Sequence, residues 1–139
     1  MSSDPESKHY QPGSDEARTY QLNMAIDHLE ELRKKHECPI VIVGDLNAEY
    51  TKPAIRNALN RGYEHAHDIA TDFSDSDWGY HYCFADGYKP YVKAPFEKAL
   101  DHILVKYASK DFVRRFERYT PEYYLPLSDH SPVFVDVVL

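Results

Sequence analysis

Three short apolar runs in this chain begin or end on acidic tips, and that arrangement restricts the folds open to it more than any other feature. Ile40 to Val43 passes into Gly44-Asp45-Leu46-Asn47, and Asp101-His102 opens into Ile103-Leu104-Val105. Leu127-Ser128-Asp129-His130-Ser131-Pro132 feeds Val133-Phe134-Val135-Asp136-Val137-Val138. Runs of this length read as strands, and Ile40 to Val43, with no polar alternation, reads as a strand buried on both faces. Carboxylate oxygens suit hard divalent cations, and neutral imidazole suits proton transfer. If the three tips converge, they form the site of a metal-assisted hydrolase.

The segments between these runs set the fold class. Ser14 with Asp15 and Glu16 makes a helix start, a capping hydroxyl followed by acids in the positive first turn. Leu22, Ala25, Ile26, Leu29 and Leu32 then recur at helical spacing, so the pattern predicts an amphipathic helix over about 14–36. Thr51 and Pro53 predict a second helix through about Leu59, closed by Gly62. His65 to Gly79 reads as polar and irregular, Tyr80 to Phe84 as a short strand, and 85–97, with Gly87, Pro90 and Pro95, as a surface loop. Strands follow at about 100–106, 111–118 and 132–138. Helices interleaved with strands early, and strands dominating late, predict an α/β layered domain.

Composition excludes several classes. The formal charge of −7 does not favour an extended nucleic-acid surface, which needs clustered Lys and Arg. No apolar run is long enough to span a bilayer, and there is no signal-like segment, so the expectation is a soluble chain of unknown compartment. Cys38 and Cys83 lack metal-ligand spacing and read as buried or half-buried thiols. The 12 tyrosines suit half-wet sites and do not by themselves imply binding.

Each polar tip has a structural reading beside the chemical one. Gly44, which allows close backbone approach, Asp45 and Asn47 are also the residues of a tight turn after a strand. In a hydrolase, Asp45 would orient or deprotonate water and Asn47 would hold a phosphoryl oxygen or the water itself. Asp101 could cap a loop, and His102 could simply alternate onto the opposite face. Asp129-His130 could be a strand-entry turn stiffened by Pro132. As chemistry, Asp129 would bind metal and His130 would act as acid-base, its tautomer held by Asp101. A zinc site from His65, His67, His81 and Asp68 lacks ligand pairs on defined elements. Arg114, Arg115 and Arg118 read as a solvated strand edge.

Taken together, the 44–47, 101–105 and 128–137 segments resemble the endonuclease/exonuclease/phosphatase superfamily, with its deoxyribonuclease I-like fold. Lys8-His9-Tyr10, followed by Ala17-Arg18 and Gln21, is similar to a further family segment, with Lys8 where Thr is usual. The resemblance implies a flexible N-terminus, 1–7, and a C-terminal portion, 8–139, of a four-layer α/β/β/α sandwich. The N-terminal half, with its Glu metal ligand, has no counterpart here. It further implies catalytic roles for His9, Asp45, Asn47, Asp101 and His130, a metal-ligand role for Asp129, and Mg²⁺ or Mn²⁺ as cofactor. The implied activity is hydrolysis of a phosphoester by a phosphodiesterase or phosphatase. The superfamily includes nucleases, inositol-phosphate phosphatases, sphingomyelinases and deadenylases, and the acidic charge fits a small or lipid-linked phosphoester better than long duplex nucleic acid. The loop 72–97, with Trp78, sits where such folds carry substrate-facing segments. The alternative is a non-catalytic, self-associating module that keeps the fold without the chemistry.

Overall fold

Helix α1, Ser14–Arg33, follows Gly13, which takes the left-handed conformation at φ 81° that glycine adopts without steric cost. The computed structural model describes residues 11–74, 79–80, 83–84, 87–88, 92–93, 99–119, 130 and 132–138. Ser14 does not cap the helix as the sequence suggests. Its hydroxyl is buried inside the first turn, where it accepts from Arg18 at 3.0 Å. Ser14, Arg18, Leu22 and Ile26 form the buried stripe, one residue per turn. Ala25 and Leu32 fall on the exposed flank, so the stripe is narrower than the apolar pattern.

A connector carrying Cys38, exposed rather than buried because it lies in the turn before the strand, leads to β1, Ile40–Asp45. Helix α2, Pro53–Asn60, starts on a proline that lacks the amide the first turn cannot use. It packs on α1, fastened by Asn57 and Arg61, which both donate to Asn23 Oδ1 at 2.6 and 2.9 Å. The stretch read as irregular holds three short elements: β2, Glu64–His65; α3, Ala66–Ile69; and β3, Asp72–Ser74. Two-residue ladders β4, Gly79–Tyr80, with β7, Val92–Lys93, and β5, Cys83–Phe84, with β6, Gly87–Tyr88, lie where one strand and a loop were expected. Strands β8, Asp101–Lys106, β9, Val113–Arg118, and β10, Val133–Val137, fall where their patterns place them.

Two three-stranded sheets organise these elements, in the orders β1-β8-β2 and β10-β9-β3. Strand β8 separates two cores. Leu104 joins Leu22, Ile26, Ile40, Ile55 and Tyr63 under the helices. Ile103 and Val105 face the other way, against Phe112, Val113 and Phe116 of the second sheet. The layers are therefore helix, sheet, sheet, three of the expected four among the described residues. Arg118 is buried in β9 rather than lying on a solvated edge, while Arg114 and Arg115 are exposed.

β1 departs from the expectation of burial on both faces. Ile40 and Ile42 pack toward the helices, but Val41 and Val43 are 40% and 64% exposed. They stand opposite Val105 and Ile103, so they continue the apolar inter-sheet face onto an edge strand that the second sheet does not cover among the described residues.

Leu104 tests the layered core, because it is fully buried on the central strand against the helix layer. Leu104→Ala should lower unfolding free energy by about 2–5 kcal/mol, read as the shift of a urea transition. A loss under about 1 kcal/mol would contradict this packing.

Candidate active site at three strand tips

β1 and β8 run antiparallel in a register that sets Asp45 directly opposite Asp101. Side chains alternate along a strand, so Asp45 shares the face of Val43, and Asp101 that of Ile103. Both carboxylates thus project to the side of the second sheet, where His130 lies just ahead of β10. His130 Nδ1 donates to Asp101 Oδ2 at 2.8 Å, and its Nε2 stands 3.9 Å from Asp45 Oδ2. Single ligand atoms from Asp45, Asp101 and His130 lie within 4.8 Å of one another.

Local backbone geometry sharpens the Asp45 tip. Gly44 has φ 146°, outside the range other residues favour, while a Cβ there would meet nothing within 4 Å. Its requirement is conformational rather than the close approach the sequence suggested. Asn47 is left-handed at φ 47°, a conformation its short amide tolerates. Its backbone N–H donates to Asp45 Oδ1 at 2.8 Å, and its Nδ2 donates to Oδ2 at 3.0 Å. The turn and the site are therefore one structure: the tight turn aims the carboxylate.

Two carboxylates placed directly across a strand pair repel each other. The His130 Nδ1–H satisfies Asp101 alone, and a cation between the two carboxylates would relieve their repulsion. The oxygens of the two carboxylates fit a hard divalent ion that binds few protein groups and keeps several waters, and the imidazole, engaged with Asp101 through Nδ1, suits proton transfer. The structure brings Asp45, Asn47, Asp101 and His130 together, as the three tips required. His9 and Asp129 lie outside the described residues, as do Trp78 and His81. The zinc arrangement does not form among the described residues. His65 turns to His102, and His67 Nδ1 pairs with Asp68, which also accepts from Tyr50 at 2.9 Å.

Behind the tips is a buried pair that the sequence did not reveal. His65 Nε2 and His102 Nδ1 are 3.0 Å apart, and His102 Nε2 meets the Ala48 carbonyl at 2.7 Å. The two residues are 37 positions apart, and no local pattern announces the contact. Burial pushes both imidazoles down, His65 to about 3 with the neighbouring His102 ring adding to the effect, while at His102 the hydrogen bond to the Ala48 carbonyl opposes it.

The burial of neutral His65 has a pH consequence. Below its ordinary value of 6.5 the unfolded ring takes up a proton that the native ring refuses until about 3. Stability therefore falls as pH drops through that window and is unaffected above it, by at most about 1.4 kcal/mol per pH unit. Urea unfolding at pH 7.5, 6 and 5 should show this slope reduced in His65→Gln, and parallel profiles would refute it.

A family model described as endonuclease/exonuclease/phosphatase family matches residues 4–130. Among solved structures, a mannosyl-6-phosphatase of Bacteroides thetaiotaomicron superposes with TM-score 0.67 at 19% identity. An endonuclease/exonuclease/phosphatase from Bacteroides vulgatus gives 0.66 at 24% identity. The alignments cover 89% and 90% of this chain but only 46% and 45% of those chains, so it spans less than half their length. No curated protein matches.

Proposed function

The chain belongs to the endonuclease/exonuclease/phosphatase family, and from that premise we propose that Asp45, Asn47, Asp101 and His130 form the centre of a metal-dependent phosphoester hydrolase. The observation that carries this reading is the Asp101–His130 hydrogen bond aimed at Asp45, with His130 Nε2 and Asp45 Oδ2 separated by 3.9 Å. A water molecule can donate one hydrogen to each of these acceptors, which leaves an oxygen lone pair directed outward at phosphorus. Asn47 holds Asp45 in that role, and its Nδ2 carries a second hydrogen within reach of a phosphoryl oxygen.

As water attacks, its proton passes to His130 Nε2, the phosphorus–oxygen bond to the leaving group breaks, and the leaving oxygen departs with the electron pair. The imidazolium so formed is flanked by Asp101 and Asp45, which stabilise its charge. Asp45 and Asp101 would hold the divalent ion, Mg²⁺ or Mn²⁺, with Asp129 as a further ligand. Bound there, the ion supplies neutralisation of charge on the phosphoryl oxygens. His9 is a second imidazole for the same site. The net charge of −7 favours a compact phosphoester over a long nucleic acid.

With bis(4-nitrophenyl) phosphate, 4-nitrophenyl phosphate and Mg²⁺, the chain should release nitrophenolate, and chelation should abolish the release. His130→Ala should lower kcat by about 10²–10⁴-fold, and Asp45→Asn should act in the same direction. Unchanged turnover in both variants ends this assignment.

The face of β1 that the second sheet leaves exposed among the described residues favours a second reading, in which copies of the chain associate. Val41 and Val43 expose apolar surface on a strand that is at the sheet edge among the described residues, the combination that invites strand pairing. Light scattering across a concentration series should show a rising mass that Val43→Lys suppresses. A constant monomer mass would dismiss it.

A further inference from the structure

The hydrogen-bond chain through the buried histidines has a fixed direction, and it ends on the loop that carries the candidate site. The His67 backbone N–H donates to His65 Nδ1 at 3.2 Å, so Nδ1 carries no proton. The proton of His65 is therefore on Nε2 and is donated to His102 Nδ1. That contact leaves the His102 proton on Nε2, which donates to the carbonyl of Ala48. The carbonyl can only accept, so the assignment reached from one end of the chain agrees with that required at the other. Both rings are about 1% exposed, and Ala48 is fully buried. Nothing in the water-activating arrangement uses either histidine.

Ala48 follows Asn47 directly. The loop it belongs to is pinned at one point by the Leu46 N–H, which donates to the Leu100 carbonyl at 3.0 Å. The Ala48 carbonyl is a second pin, two residues later. Between the two pins sits Asn47, in the left-handed region and holding both oxygens of Asp45. We infer that His102 is a positioning residue that fixes the Asp45–Asn47 tip through the Ala48 carbonyl, with His65 setting the tautomer that makes His102 a donor there. This inference rests on the proposed hydrolase reading for its effect on turnover, but its geometric content is independent of it.

Two measurements test it. In ¹⁵N-labelled protein, the His102 ring should show a protonated Nε2 and an unprotonated Nδ1; the opposite tautomer overturns the inference without any variant. His102→Gln can place an amide donor near the original Nε2, whereas His102→Asn is too short to reach Ala48. His102→Asn should raise hydrogen exchange at the Asn47 amide and lower kcat on bis(4-nitrophenyl) phosphate by about 10–100-fold, with KM within about twofold. His102→Gln should restore both to within about threefold of the parent protein. An Asn47 amide that stays protected in His102→Asn overturns the inference. If the parent protein hydrolyses nothing while the Asn47 amide responds as stated, the positioning role stands and the hydrolase assignment falls.

Discussion

The antiparallel register of β1 against β8 governs this molecule. It places Asp45 opposite Asp101, a pairing of like charges that costs stability in an ordinary sheet. The pairing persists because β8 cannot slide. Leu104 is locked among the helices while Ile103 and Val105 are locked in the second sheet. A shift of one residue would send all three to the wrong faces. The apolar core thus holds the two carboxylates opposite each other, where a cation would offset their repulsion. Core packing and site chemistry are coupled through one strand.

The sequence carried the parts of this arrangement that are local. An amphipathic repeat led by acids, a proline at a helix start and apolar runs bounded by acids each specify their element within a few residues, and those elements appear. The short elements between 64 and 74 were not legible, because Glu64-His65 and Asp72-Phe73-Ser74 become strands only by pairing with β8 and β9. Their polarity reads as loop, and their partners lie about 40 residues away. Burial was the weaker inference for the same reason. Whether Val41 and Val43 are covered depends on what the second sheet reaches, and whether Arg118 is solvated depends on β9 being the central strand of its sheet. Neither fact is encoded near the residue concerned.

For the site itself, the legible part was the chemistry-bearing side chains at strand ends, and the hidden part was what supports them. Asp45, Asn47, Asp101 and His130 announce themselves by type and by position at the mouths of apolar runs. His65 does not, since a histidine in a polar stretch looks like an exposed one. The turn at 44–47 does not compete with the proposed catalytic role of Asp45. The turn's own hydrogen bonds, from Asn47 to both oxygens of Asp45, are what orient the carboxylate.

Strand alternation explains how one segment serves both roles. Asp101 and His102 are neighbours, so they project to opposite faces of β8. Asp101 turns toward the second sheet and grips His130. His102 turns toward the covered side and grips the Ala48 carbonyl behind the Asp45 tip. One strand thereby holds the imidazole from one face and the opposing carboxylate's loop from the other. The distance between His130 Nε2 and Asp45 Oδ2 is then fixed by a single rigid element rather than by two loops moving independently. In the proposed hydrolase, a pair of acceptors that share one water needs such a common support, because a displacement on the order of 1 Å would leave that water bound to one acceptor and its lone pair misdirected. Neutral, buried histidines suit the supporting role: they donate and accept in fixed directions and add no positive charge that would repel a cation at the proposed site.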